Sequence, residues 1–492
     1  MLFRKRMDFL LPRGFLMKSD FTRSHLCQGA TLTILNNMDI TRLTLIETIK
    51  ALEEKRFSEE ELNEAYLERI NKLNLKLNIF LEVKKNTKGI PVAIKDIIST
   101  QNIITTAGSK ILSTYIPPFN ATAVNRLLAN GISVIGKANC DEFAMGSSGE
   151  NSAYGLTKNP WDLNKVPGGS SSGSAAAVAA DLCVFALGTD MGGSIRQPSS
   201  LCGVVGFKPS YGRVSRYGAI TITSSTDQIG PITKSVADAR LVLGWIQGED
   251  GFDSNCAYLR GEAKGLLRSH LGGVRVGVPK EYFAVPAGRQ GKGLDPKVEK
   301  VIRDAIKKLE ELGAEIVEIS LPHTEYAVAT YYIIMASEVS SNLARFDGIR
   351  FGVSRENFGA EPKRRIMLGT FSLSSGYYDD YFAKAARVRT LIKQDFEEAF
   401  KKCDVIVGPV SPTTAWNFGE KMDDPLKMYL SDAYTIPASL AGLPGLSVPC
   451  GFVDGLPVGL QILGKYMDDE TVLNVGETYE QATDWHKEKP KL

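Results

Sequence analysis

The chain has 492 residues, 43% of them hydrophobic and 23% charged, ordinary values for a globular protein long enough for one large core or two to three domains. Its formal net charge of +2 supplies no general basic field, which argues against direct nucleic-acid binding, and no run approaches the roughly 20 apolar residues of a membrane span. The seven cysteines are scattered, with no C-x-x-C pair, which fits a reducing compartment better than a disulfide framework, and neither Cys nor His spacing suggests a metal site.

Residues 1–37 hold six Lys/Arg residues against Asp8 and Asp20. They read either as an organelle transit peptide or as the product of an upstream start codon, and in both cases as an N-terminal extension outside the fold. Beyond them the pattern turns helical. Ser58 and Glu61 form a capping-box signature, and Leu62, Ala65, Tyr66 and Ile70 make the apolar stripe of a core-facing helix. Ile90–Ile94 is a strand ending at Lys95. A helix over Ala121–Ala129 closed by Gly131, a strand over Ile132–Ile135, a helix over Ser174–Ala180 and a strand over Cys183–Leu187 repeat the alternation of an α/β sheet. Cys183 and Cys450, in apolar strand-like settings, are read as small core residues.

A helix over Val236–Trp245 precedes a stretch, around residues 248–350, that looks like a cap-like insertion on the central sheet. It carries a strand at Val274–Val278, a long helix marked by Val298, Val301, Ile302, Ile306 and Leu309, and a strand at Ile316–Ile319. Long helical patterns cover Tyr326–Phe346 and Tyr377–Phe400. Strands follow at Asp404–Val407, Leu446–Val448 and Val458–Leu463, and a final helix from about Asp469 to Thr483 is expected to pack on the outside.

Chemistry concentrates in Lys165–Gly203, where two glycine-serine loops, Gly168–Ser174 and Gly192-Gly193-Ser194, flank an alanine-rich helix and a short apolar strand. Glycines before a serine allow positive φ and turn successive N–H groups toward one point, as an oxyanion hole requires. A serine nucleophile needs a base, yet His25, His270, His323 and His486 all stand outside any motif. Lys95 offers another base, because an amine at the end of a buried strand loses hydration and its pKa falls. Gly169–Gly173 also satisfies G-x-S-x-G, which would nominate Ser171, but that reading requires a late histidine and only the tail residue His486 is available.

At Lys95, Ser170 and Ser194, in both residue type and spacing, the sequence resembles the amidase signature family, from about Met38 to the end. The resemblance implies an α/β fold with a large mixed central β-sheet flanked by helices on both faces, spanning 38–492. It puts the nucleophile on Ser194, the bridging serine on Ser170 behind a cis peptide, the base on Lys95, and the oxyanion on the backbone N–H groups of Met191, Gly192 and Gly193. Met191 replaces a more common threonine, and Ser172 a frequent glycine. The segments Asp141–Ser148, Phe207–Gly218, Ser225–Pro231 and Leu440–Gly445 bring the resemblance closest to the glutaminase subunits of tRNA-dependent amidotransferases. For such a glutaminase, Arg365 would clamp the glutamine carboxylate and Asp432 its ammonium, with Tyr331 or Tyr332 lining the pocket. The resemblance further implies a B subunit that uses ATP and Mg²⁺ and handles misacylated Glu-tRNA(Gln), in some organisms also Asp-tRNA(Asn), and a small C subunit. No cofactor in this chain and no membrane attachment are expected, and the location is cytoplasmic, or organellar if 1–37 is a transit peptide. The other readings are a stand-alone amidase of aryl, aliphatic or acyl amides and a scaffold without catalysis.

Overall fold

The computed structural model describes residues 39–85, 87–256, 270–283, 293–350 and 352–492; the extension read at 1–37, Cys27 and part of the stretch read as an insertion lie outside these. Among the described residues eleven strands form one sheet: Phe80–Val83 (β1), Ile90–Lys95 (β2), Ile132–Ala138 (β3), Phe185–Thr189 (β4), Val205–Lys208 (β5), Ile229–Thr233 (β6), Arg275–Pro279 (β7), Glu315–Ile319 (β8), Val405–Pro409 (β9), Gly445–Val453 (β10) and Leu456–Gly464 (β11). Their order is β1-β3-β2-β4-β6-β5-β10-β11-β9-β7-β8. The sheet is mixed. β2 runs parallel to β3 and β4, and β7 parallel to β8 and β9, whereas the central β4-β6-β5-β10-β11-β9 pairs are antiparallel.

Every residue of β2, β3 and β4 is buried, so both faces of that part of the sheet are covered, as parallel strands require. The helix Glu59–Leu77 contributes to this cover through Leu62, Tyr66 and Ile70, and its start is the capping box read from the sequence: Glu61 N–H donates to Ser58 Oγ at 3.1 Å and Ser58 N–H to Glu61 Oε2 at 2.7 Å. β7 and β8, from the stretch around 248–350, extend the sheet at one end through β9.

Two local differences from the sequence reading matter. The helix after the first glycine-serine loop spans Ser172–Ala179, and the next strand starts only at Phe185, because Asp181 takes φ +55° in the intervening turn. The strand therefore ends at Thr189, beside the loop that carries Ser194. The final helix, Asp469–Gln481, is no outer layer: Val472, Leu473, Val475 and Tyr479 are buried against β10, β11 and the helix Val236–Ile246. Gly476 permits that approach, since a Cβ there would lie 2.1 Å from Leu446 Cδ2. Cys140, Cys183, Cys202, Cys256, Cys403 and Cys450 are buried, and no disulfide joins them among the described residues. Among the described residues no helix is long and apolar enough to cross a membrane.

Candidate active site

Lys95 ends β2 with its side chain 0% exposed, and its Nζ lies 2.8 Å from Ser170 Oγ, 2.9 Å from Ser171 Oγ and 2.8 Å from Thr189 Oγ1. Burial pulls the amine down to about 8. The Gly169–Ser170 peptide is cis. Gly169 has no room for a side chain, since a Cβ would sit 2.1 Å from Asp141 Oδ2 and 2.8 Å from the Ser148 nitrogen. Its N–H donates to Gln197 Oε1 at 3.0 Å, and Gln197 Nε2 donates to the Ser147 carbonyl at 2.8 Å, so one amide ties the first loop to its neighbours.

The second loop is held from behind. The Asp190 carboxylate accepts the N–H groups of Ile195 at 3.1 Å and Arg196 at 3.3 Å and pairs with the fully buried Arg196 guanidinium at 3.0 Å. The four preceding N–H groups, on Met191, Gly192, Gly193 and Ser194, donate to no acceptor among the described residues. Thr435 Oγ1 donates to the Gly192 carbonyl at 2.6 Å. Gly192 lies under the Tyr331 ring, 2.9 Å from where a Cβ would be, and Gly193, at φ +143°, would bring a Cβ to 2.2 Å from Thr435 Oγ1. The loop is thus a row of free donors with both neighbouring positions restricted to glycine. Ser171 N–H donates to the Ser194 carbonyl at 3.2 Å, which joins the two loops, while the Ser194 hydroxyl has no hydrogen-bond partner among the described residues.

Ser171 itself is engaged. Its hydroxyl donates to the Thr189 carbonyl at 3.1 Å and accepts the Thr189 N–H at 3.3 Å, besides meeting Lys95. His486, the base that the G-x-S-x-G reading requires, lies on the C-terminal turn Trp485–Lys487 against β10.

Beside the second loop lies a pocket wall built from three helical segments. Tyr331 and Tyr332, on the helix Ala327–Asn342, make different contacts. Tyr331 covers Gly192, whereas Tyr332 stacks on Tyr429 at 3.6 Å and underlies Arg365 at 5.2 Å. Arg365, on the helix Ala360–Ser372, is buried and donates from Nε to Glu361 Oε1 at 2.7 Å and from Nη1 to Met335 Sδ at 3.2 Å. Asp432 is also buried, three residues before the Thr435 that touches Gly192. Ser147 Oγ donates to its Oδ2, its Oδ1 has no partner among the described residues, and burial pushes the carboxyl up to about 7. A buried carboxylate oxygen without a donor is uncommon in a finished core.

Sequence reasoning missed Ser147, Thr189, Glu361, Tyr429 and Thr435 as parts of this site. Ser147 stood inside Asp141–Ser148, one of the segments that carried the resemblance, Tyr429 three residues before Asp432, and Thr189 next to the second loop, but polar residues at loop edges give no local signal of a partner far along the chain.

Residues 43–473 match the amidase family model. The A subunit of glutamyl-tRNA(Gln) amidotransferase from Thermoanaerobacter pseudethanolicus is 51% identical over 481 residues, 90% of this chain and 97% of that protein. Its counterpart from Thermodesulfovibrio yellowstonii is 56% identical over 430 residues, 84% of this chain and 87% of that protein. The crystal structure of the corresponding glutamyl-tRNA(Gln) amidotransferase chain from Thermotoga maritima has a TM-score of 0.80 at 45% identity, covering 90% of this chain and 96% of that one. With the fold, the two glycine-serine loops and a match of that length all in agreement, the chain belongs to the amidase family.

Proposed function

We infer that the chain is the glutamine-hydrolysing subunit of an amidotransferase that converts Glu-tRNA(Gln) to Gln-tRNA(Gln). The relatives' extent of identity supports the amidotransferase assignment over the stand-alone amidase. The observation that carries the substrate is the orphaned Oδ1 of Asp432, a buried acceptor beside the same loop that Tyr331 covers and in the field of Arg365. An α-ammonium fits the first group and an α-carboxylate the second.

In this mechanism the neutral form of Lys95 accepts the Ser170 proton while Ser170 takes the proton of Ser194, whose hydroxyl, without a partner among the described residues, turns to Ser170 as substrate binds. Ser194 Oγ attacks the γ-carboxamide carbon, and the N–H groups of residues 191–194 hold the oxyanion, where the loss of one donor costs about 3 kcal/mol. Collapse returns the proton from Lys95 through Ser170 to the leaving nitrogen, releasing ammonia and a γ-glutamyl ester on Ser194. Water, deprotonated by the same relay, hydrolyses that ester to glutamate and restores the serine.

The assignment brings a B subunit, which would use ATP and Mg²⁺ to activate the misacylated tRNA and receive the ammonia, and a small C subunit, in the cytoplasm. Glutaminase assays with and without coexpressed partner subunits test it. Assembly with partners and glutamine turnover support the reading; brisk hydrolysis of unrelated amides by the lone chain, with indifference to glutamine, overturns it. Ser194→Ala should keep assembly and lower ammonia release by about four orders of magnitude or more, and an unchanged rate would remove the mechanism.

A further inference from the structure

Arg365 cannot present all of its donors to a substrate. Its Nε–H is taken by Glu361 Oε1 at 2.7 Å, Nη1 meets only the Met335 thioether at 3.2 Å, a weak acceptor, and Nη2 has no partner among the described residues. The free end of the fork is therefore the Nη1/Nη2 edge, and Glu361 determines which way that edge faces. Glu361 is itself fixed from three sides. Its side chain is 7% exposed, Tyr429 donates its hydroxyl to Oε1 at 3.3 Å, and Arg364 pairs with Oε2 from the outer side of the same helix. Arg364 is 42% exposed and Arg365 6%, so one carboxylate bridges a surface cation and a buried one a single residue apart. Tyr429 closes the arrangement by stacking on Tyr332, and the Arg365 guanidinium lies over both rings, at 5.2 and 5.7 Å.

We propose that Glu361 is a positioning residue that sets substrate affinity by holding the Arg365 fork end-on to the carboxylate of glutamine. The proposal rests on reading Arg365 as the carboxylate clamp, and it goes beyond that reading by making the clamp depend on a neighbour that never touches substrate. A carboxylate at 361 anchors Nε through a charge-assisted bond, whereas a carboxamide of the same shape offers a weaker acceptor and lets the guanidinium turn toward Met335 or solvent. Burial raises the Glu361 carboxyl, but Arg365, its hydrogen bond and Arg364 outweigh that and hold it below the ordinary carboxylate range, so the charged form is the one at work.

The test is steady-state glutaminase kinetics on Glu361→Gln and Glu361→Asp, coexpressed with the partner subunits. The substrates are glutamine and 4-aminobutanamide, which is glutamine without its α-carboxylate. Glu361→Gln should raise KM for glutamine about tenfold with kcat within about twofold, and leave kcat/KM for 4-aminobutanamide unchanged, the pattern of lost uniform binding to one substrate group. Glu361→Asp, which keeps the charge, should recover part of the loss. An unmoved KM, a KM that falls because Glu361 had competed with substrate, or an equal loss on both substrates would each overturn the assignment. If Glu361→Gln fails to assemble, the same comparison on Glu361→Asp decides, since a rise in KM confined to glutamine supports the proposal and no such rise refutes it. Arg365→Met separates the two levels: a normal KM for glutamine there removes the clamp reading itself, while a raised KM with no effect at 361 removes only this inference.

Discussion

Lys95 and Lys137 stand on adjacent strands, one register step apart, both 0% exposed and both pulled down to about 8 by burial. By desolvation alone they are equals. Their partners separate them. Lys137 donates to the Ile98 carbonyl and to the hydroxyls of Thr100 and Thr105, at 3.1 and 2.9 Å, and those hydroxyls already direct their protons to the carbonyls of Ile98 and Ile103. Every group around Lys137 can only accept, and the Asp96 carboxylate lies 3.9 Å away, so the environment suits an ammonium that braces the start of the Ile98–Thr105 loop. Around Lys95, the Ser170 hydroxyl gives its proton to no other group among the described residues. That O–H can turn and donate to a neutral amine. Lys208, pulled down to about 7 by burial and by Arg196, repeats the Lys137 pattern with the carbonyls of Pro209 and Leu443. A depressed lysine is therefore a base only where a neighbouring hydroxyl has a proton to give.

Substitution to methionine, which keeps the aliphatic stem, breaks this comparison most directly. Lys95→Met should lower kcat by about three orders of magnitude with the fold intact, because the relay loses its proton acceptor. Lys137→Met should do the reverse. It leaves Asp96, whose Oδ1 has no hydrogen bond among the described residues, without its cation, at a cost of about 3 kcal/mol in stability, while the folded fraction turns over at close to the wild-type rate. Chemical denaturation read alongside kcat separates the two. Equal losses of kcat in folded protein from both variants would mean that the hydroxyl criterion fails.

A pH profile sharpens the contrast further. The competent form of Lys95 is the neutral one, so kcat should rise with pH and level off above about 8, falling about tenfold per unit well below that value. Lys137→Met should leave the midpoint where it is. The parameter to follow is kcat. In free enzyme Asp432, held up at about 7 by burial, must also lose its proton before it can receive an ammonium, and kcat/KM therefore carries a second rising limb. Bound substrate removes that limb. A kcat that is flat from pH 6 to 9 would show that Lys95 is not the group whose ionisation limits turnover.

The two lysines also show how far the sequence could be read. Apolar Val92, Ala93 and Ile94 were enough to place Lys95 at the end of a buried strand, and the glycine-serine composition was enough to locate both loops, because each signal sits within ten residues. Lys137 gave no such warning, since its partners belong to a loop whose shape follows from tertiary contacts. The pocket wall was less legible for the same reason. Ser147 meets Asp432 across 285 residues, Thr435 meets Gly192 across 243, and Arg196 meets Gln461 across 265, so no window contains both halves of any of these contacts. β1, β5 and β6 were passed over because each has only four or five residues, and Gly206 in β5 and Gly230-Pro231 in β6 read as loop. Resemblance supplied Arg365 and Asp432, but not Glu361 or Tyr429, whose contribution lies in whom they touch.

Ser171 provides the smallest and most discriminating test of the same idea. It stands as close to Lys95 as Ser170 does, 2.9 against 2.8 Å, and it occupies the serine position of G-x-S-x-G. Its proton, however, is already directed to the Thr189 carbonyl, and its oxygen accepts the Thr189 N–H, so it shares the situation of Thr100 and Thr105 around Lys137. Ser171→Ala should remove one acceptor from the Lys95 amine and unpair the end of β4, but leave the Ser170 contact in place. The expected loss is about tenfold in kcat. With one fewer acceptor for the ammonium, the midpoint of the kcat profile should also move slightly toward lower pH. A loss as large as that of Ser194→Ala would instead make Ser171 part of the proton path, and the distinction between hydroxyls with assigned and unassigned protons would no longer separate a strut from a relay.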